Sequence, residues 1–254
     1  MELFDIKGKK IIFTGSCGGL GRGMTEGLLK RGAEVVMLDA SPEIAVLEQE
    51  FQRAGYAAKG IRCDLSNHEN VAEVFEKALE LLGGQVDVLV NAAGIQRRHK
   101  SEEFPLSDWE LVMNINLTAT FLLCKLSGAQ MLKQGSGGKI INIASMLSFF
   151  GGYTVPAYAA SKGGVAQLTK ALCNEWAGFG INVNAIAPGY MDTPMNTALT
   201  DPSNPRFKEI TDRIPAGRWG TAKDMEGLLI FLSSAASDYI NGAVIPCDGG
   251  YLVK

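Results

Sequence analysis

The chain has 254 residues, 46% of them hydrophobic and 20% charged, with a formal net charge of −3. Such a composition buries a large core and excludes a disordered chain, while the slight acidic balance supplies no broad positive field for nucleic acid or an anionic membrane. Five cysteines, odd in number and without a C-x-x-C pair, together with only two histidines argue against a disulfide framework or a zinc site, so no metal is expected.

The first ten residues lack the apolar stretch of a signal peptide. Apolar runs such as 86–90 and 140–143 are far short of the roughly 20 residues that span a bilayer, so a cytoplasmic location without a membrane partner is expected. An apolar strand over 10–14 enters a glycine-rich turn, and the helix after it stops at Lys30-Arg31-Gly32. A second strand, 33–39, leads to Ser41-Pro42, which suits a helix N-cap and first position, and Ile44, Leu47 and Phe51 fall on one face before Gly55. Residues 57–63 read as a third strand, followed by helical spacing of Val71, Val74, Phe75, Ala78 and Leu82.

The runs 86–90 and 139–143 are near-continuously apolar and β-branched, as in strands covered on both faces. Helices over 107–134 and 157–179, a strand at 181–186, a helix at 222–234 and a strand at 243–247 complete the order. Seven strands alternating with helices predict a doubly wound, seven-stranded parallel sheet of the Rossmann type, one domain over 1–254, with its ligand crevice beyond the strand carboxyl ends. No linker or repeat divides the chain.

At the first such end, Thr14-Gly15-Ser16-Cys17-Gly18-Gly19-Leu20-Gly21 places glycines where backbone N–H groups and a helix N-terminus can approach a pyrophosphate. The same helix N-terminus can lower a thiol pKa at Cys17, although a small filler is the simpler reading. Asp39 ends the second strand, where a carboxylate bonds the adenosine ribose hydroxyls and repels a 2′-phosphate. No Lys or Arg occupies 16, 17, 40 or 41, so NAD is the expected cofactor.

Tyr158 and Lys162 lie one turn apart on a long helix, so an ammonium neighbours a phenol and favours its anion. Together with the oxidised nicotinamide, that field would make Tyr158 a general base near neutral pH.

These motifs, with Asn91-Ala92-Ala93-Gly94, Asn116, Ser145 and Pro188-Gly189, resemble the short-chain dehydrogenase/reductase family over essentially the whole chain. Ala92 stands where the family often has a second Asn. The resemblance implies an NAD-dependent oxidoreductase in which Tyr158 is the acid/base, Lys162 binds the nicotinamide ribose, Ser145 bonds the reacting oxygen and Asn116 holds a relay water. It further implies that Asn91, Ala92 and Gly94 floor the nicotinamide and adenosine and that Asp64 and Leu65 meet the adenine. Pro188, Gly189, Met191 and Thr193 would hold the carboxamide.

Within the family, the stretches 138–149, 184–191 and 213–220, with Gly94-Ile95-Gln96-Arg97-Arg98, resemble members that act at carbon 5 of a deoxy keto sugar acid, with gluconate-specific members the near rival. Met146, beside Ser145, would face such a substrate. Its carboxylate needs a cation, and Arg97 or Arg98 is the candidate. A flexible lid is expected over 191–213, with Pro194, Pro202 and Pro205. The family pattern implies a homotetramer through the two longest helices. A 3-oxoacyl reductase is disfavoured by Asp39, and a non-catalytic nucleotide-binding protein by the presence of both Tyr158 and Lys162.

Overall fold

Apolar strands without alternation need helices on both faces, and the computed structural model, which describes residues 3–201 and 203–254, has that layering. The strands β1 (Lys10–Thr14), β2 (Glu34–Asp39), β3 (Ala58–Arg62), β4 (Val88–Asn91), β5 (Gly138–Ile143), β6 (Ile181–Pro188) and β7 (Val244–Cys247) form one sheet. Their order is β3-β2-β1-β4-β5-β6-β7, parallel throughout. The chain reverses direction across the sheet between β1 and β4, and the splayed loops there open a crevice at the carboxyl ends.

On one face, α1 (Gly19–Lys30), α2 (Ile44–Arg53) and α9 (Ala222–Ser233) bury Met24, Leu28, Leu47, Met225 and Leu229 against Ile11 and Phe13. On the other, α3 (Val71–Leu81), α5 (Ala119–Gln134) and α6 (Pro156–Trp176) bury Phe75, Leu123, Met131 and Leu172 against Ile12 and Ile140. Ile11 and Phe13 on one side and Ile12 on the other show the two-residue period of a strand.

Three departures from the sequence reading have local causes. Helix α2 begins at Ile44, because Ser41 closes a turn first: its Oγ accepts from Glu43 N at 3.2 Å and its carbonyl from Ile44 N at 3.3 Å. The helix expected over 107–134 is continuous in path but is α4 (Leu106–Met113), a π-turn (Asn114–Thr118) and then α5. That 29-residue path is long and apolar enough to cross a membrane by length and composition, which short apolar runs did not suggest. In the fold its inner face, Leu123, Cys124 and Met131, is buried on the sheet.

The third departure is the lid. Residues 191–213 contain a 3-10 turn (Pro194–Asn196), α7 (Thr197–Thr200) and α8 (Pro205–Arg213), elements to which the sequence reading assigns no helix; Pro202 lies outside the described residues. Pro194 and Pro205 each open a helical element, and the Asn204 side chain accepts from Arg206 N at 3.0 Å as an N-cap. The excursion also runs further, to residue 219, and is closed at its base by a parallel bridge between Met191 and Gly220. There Asp192 N donates to Gly220 O at 2.8 Å and Gly220 N to Tyr190 O at 3.0 Å.

Candidate active site

The crevice is a cleft of about 510 Å³ running from Asp39, Ala40, Ser41 and Glu43, past Asp64, Leu65 and Gly94, to Ser145, Tyr158 and Lys162. Its near wall is the glycine loop. A Cβ on Gly21 would stand 1.8 Å from the Gly15 carbonyl oxygen, so only glycine lets the start of α1 fold under the loop. Thr14 Oγ1 accepts from both Ala92 N and Ala93 N at 3.0 Å, which locks the ends of β1 and β4 across the switch point. Gly15, Gly19, Leu20, Ala92, Pro188, Gly189, Met191 and Thr193 line the same cleft.

Two of the expected cofactor residues turn their side chains away from the cleft. Ser16 is fully buried, its hydroxyl donating to Phe13 O at 3.3 Å and accepting from Thr25 Oγ1 at 3.4 Å. Asn91 turns into the core, where Nδ2 donates to Asn142 Oδ1 at 2.9 Å. Neither side chain lines the cleft, and both brace its walls from behind. Cys17 is no activated thiol either: burial, then the Asp39 charge, pushes it up to about 12.

Asp39 is held by two backbone amides, Cys17 N on Oδ2 at 2.8 Å and Ser41 N on Oδ1 at 2.9 Å. The nearest arginines have other partners. Arg62 Nε donates to Ala40 O at 3.2 Å, and Arg22 pairs with Glu50 at 2.5 Å. Arg62, paired with Asp39 in the β2–β3 register, was missed because it lies far from Asp39 in sequence.

At the other end of the cleft four polar side chains converge. A Cβ on Gly94 would lie 3.3 Å from Asn116 Oδ1 and 3.5 Å from Lys162 Nζ, so the glycine marks the place where those two groups approach each other across the floor. Lys162 Nζ donates to Ile143 O at 2.6 Å and sits 5.7 Å from the centre of the Tyr158 ring. Burial without a carboxylate partner lowers Lys162 to about 8. The Tyr158 phenol, by contrast, is pushed up by burial, with a hydrogen bond to Ser145 pulling it partly back. In the protein alone burial sets the direction for Tyr158, while the expected depression joins Lys162, here directed at a backbone carbonyl, to the charge of an oxidised nicotinamide.

Ser145 Oγ accepts from Leu147 N at 3.1 Å, which leaves its O–H able to turn between Tyr158 and a bound oxygen. Asn116 has no such freedom. Its Oδ1 accepts from Ile95 N at 2.9 Å and its Nδ2 donates to Ile95 O at 3.0 Å and Ser161 Oγ at 3.1 Å, so any water it holds must bond to an oxygen.

Two serines outside the motif reading tie this cluster together. Ser161 Oγ, accepting from Asn116, donates to Tyr158 O at 2.8 Å. Ser148 Oγ accepts from Ser145 N at 3.3 Å and donates to Lys162 O at 2.7 Å. The S-x-x-S spacing of a capping box was the available signal for Ser148; Ser161 had none.

On the substrate side, Met146 is buried in a satellite cluster with Ile210, Ile214, Trp219 and Tyr251, so it supports the lid from below. Arg97 lies 3.5 Å from Asp108 and donates to Gln96 O at 3.2 Å. Arg98 pairs with no carboxylate among the described residues; the Gln96 amide oxygen, turned toward it, accepts from Nη2 at 2.8 Å and Nε at 3.2 Å. Partial burial, then the like charge of Arg206 on the lid helix, holds its ionisation below the usual guanidinium value. The structure thus separates two arginines that the sequence left equivalent.

Residues 9–204 match the family model for short chain dehydrogenase. The chain is 45% identical over 257 residues to a 2-dehydro-3-deoxy-D-gluconate 5-dehydrogenase of Bacillus subtilis, covering 100% of this chain and 98% of that protein. Among solved structures, a Beutenbergia cavernae protein described as an NAD(P)-dependent gluconate 5-dehydrogenase, with NADP bound at low occupancy, superposes with a TM-score of 0.94 at 43% identity, covering 99% of this chain and 100% of that one. A gluconate 5-dehydrogenase from Burkholderia cenocepacia in complex with NADP and tartrate gives a TM-score of 0.94 at 38% identity, covering 100% and 98%. The chain belongs to the short-chain dehydrogenase family.

Proposed function

We propose that the protein oxidises a secondary hydroxyl of a sugar acid with NAD, the substrate being 2-dehydro-3-deoxy-D-gluconate and the position its carbon 5. The observation that carries the chemistry is the convergence of Ser145, Tyr158 and Lys162 at the closed end of a cleft whose other end is Asp39. A nicotinamide dinucleotide fits this cleft, since Gly15, Gly18, Gly19 and Gly21 present bare backbone along its wall and Asp39 stands where a ribose diol would meet it. Glycine-loop amides would hold the pyrophosphate and Lys162 the nearer ribose. When bound, the oxidised cofactor supplies the hydride acceptor and a positive charge beside the Tyr158 phenol.

Ser145 turns its O–H from Tyr158 to the reacting oxygen and so orients that oxygen toward Tyr158. Tyr158 Oη then takes the hydroxyl proton. Lys162, lowered to about 8 by burial and therefore still mostly protonated at neutral pH, adds to the field that favours the phenolate. Arg98, with one edge of its fork on Gln96 and no carboxylate partner, binds the sugar-acid carboxylate.

The reading of NAD rests on Asp39, held by two backbone amides at the ribose end of the cleft, and on the pairing of Arg22 with Glu50. The NADP found in the Beutenbergia and Burkholderia structures supports the rival, a gluconate 5-dehydrogenase using NADP. The deciding experiment follows absorbance at 340 nm with 2-dehydro-3-deoxy-D-gluconate and D-gluconate, each with NAD and NADP, using Tyr158→Phe as the blank. Turnover of the deoxy keto acid with NAD that is lost in the variant supports the proposal; turnover of gluconate alone transfers it to the rival, and activity only with NADP overturns the cofactor assignment. We read the assembly as a cytoplasmic homotetramer, since α5 leaves Phe121 and Leu132 exposed; light scattering at monomer mass would refute it.

A further inference from the structure

Between β3 and α3, the short 3-10 turn His68–Asn70 reaches across to the long helical path. His68 Nε2 lies 3.1 Å from the main-chain carbonyl oxygen of Asn114. That carbonyl opens the π-turn Asn114–Thr118 and already accepts the Ala119 amide, the widened bond from residue i+5. A carbonyl has no proton to give, so Nε2 carries the hydrogen and supplies a second donor to an oxygen turned outward by the widened turn.

The π-turn sets the register of the helix on either side of it. Asn116 sits at its middle, fully buried, and its side chain fixes Ile95 on the cleft floor and, through Ser161, the backbone of Tyr158. In a regular α-helix, one residue fewer would fit between Asn114 and the buried face of α5, and Asn116 would swing by about 100° about the axis. Leu123, Cys124 and Met131 are clamped on the sheet and cannot move with it, so any slackening must be absorbed in the turn itself. His68 comes from the same loop as Asp64 and Leu65, which line the cleft.

We infer that His68 is a positioning residue: its Nε2–H pins the π-turn at Asn114, holds Asn116 in register, and so mechanically joins the Asp64–Leu65 loop to the reacting end of the cleft. The catalytic consequence rests on the proposed role of Tyr158; the structural one does not.

The test compares His68→Ala, His68→Asn and His68→Gln in the full-length protein. Glutamine extends an amide N–H to about the place of Nε2, whereas asparagine keeps the polarity but falls short. Amide hydrogen exchange is measured first, without substrate or cofactor. Exchange over 106–118 is expected to speed up about tenfold in His68→Ala and His68→Asn, to stay unchanged over 119–134, and to return to the wild-type rate in His68→Gln. Turnover of the preferred sugar acid should show kcat down about tenfold in the Ala and Asn variants with KM within about twofold, and recovered in Gln. Wild-type exchange rates in a folded Ala or Asn variant overturn the inference, as does full kcat in the Asn variant. A wild-type protein that turns over neither sugar acid defeats the functional reading, while the exchange data still decide this one.

Discussion

The glycine loop and the lid both leave the carboxyl end of a strand and border the same cleft, yet they are built by opposite means. The loop is tied through main-chain groups: Gly21 lies under the Gly15 carbonyl, and Thr14 Oγ1 and the Asp39 carboxylate each accept from two backbone amides. The lid is side chain against side chain, with Phe207 stacked on Trp219 at 6.1 Å and Tyr190 edge-on to both Trp219 and Tyr251 at 5.1 Å. A backbone cradle has almost no tolerance, because moving one atom moves a chain, whereas an aromatic cluster repacks at a cost of about 1–3 kcal/mol. The first suits a cofactor shared by many reactions and the second a substrate that differs among them.

The hardest blow to the comparison would be a tolerant loop. Gly21→Ala is expected to raise the dissociation constant for NAD by at least about a hundredfold, read by quenching of intrinsic fluorescence, and to lower the melting temperature by about 5–10 °C. Binding within threefold of the wild type would refute the rigid-cradle account.

Lys162 tests the same wall from the side of stability. A lysine lowered to about 8 by burial is protonated in the unfolded chain and largely unprotonated in the fold between pH 8 and its usual 10.5. Unfolding then takes up a proton, so the burden this residue places on stability is full below pH 8 and disappears as pH rises toward 10.5. Removing it with Lys162→Met should raise the cofactor-free melting temperature by several degrees at pH 7, corresponding to up to about 3 kcal/mol, and by almost nothing near pH 10.5, while abolishing turnover. A melting temperature lower in the variant at pH 7 would mean that the bond to Ile143 outweighs desolvation.

Where lid and floor meet, Arg98→Ala is expected to raise KM for the sugar acid by about 10- to 100-fold, as loss of a charge-assisted bond implies. Arg97→Ala, already tied to Asp108, should change it less than about twofold. Equal effects would erase the distinction drawn between them. The smallest effect belongs to the lid interior. Phe207→Ala should shift the melting temperature by less than about 2 °C and raise KM for the substrate a few-fold with the NAD dissociation constant unchanged, because the lid opens locally before the sheet does.

The contrast also explains what could be read from residues alone. Strand β1 was placed to the residue and the parallel sheet followed from unbroken apolar runs, because periodicity and burial act on every position of an element. The glycine loop, Asp39, Tyr158 and Lys162 were visible because their chemistry needs particular residue types. The π-turn was not, since shifting one hydrogen bond from i+4 to i+5 leaves no mark on composition, and with it went the role of His68. The lid's helices are harder to read for a different reason: they are short and lie among three prolines, and only the structure shows Asn204-Pro205 to be an N-cap followed by a first helical position. Arg97 and Arg98 could not be told apart until Asp108, supplied by a later helix, chose one of them.

The bridge between Met191 and Gly220 has an evolutionary corollary. Because residues 192–219 depart and return at a single point, they form a cassette whose ends stay in place whatever lies between them. Lengthening or recoding such an insert adds only about 0.6 kcal/mol of closure entropy per doubling of its length, so the sheet and the cofactor cradle scarcely register the change. A cassette grafted from a relative and cut at those two residues is expected to leave the sheet and the cradle intact.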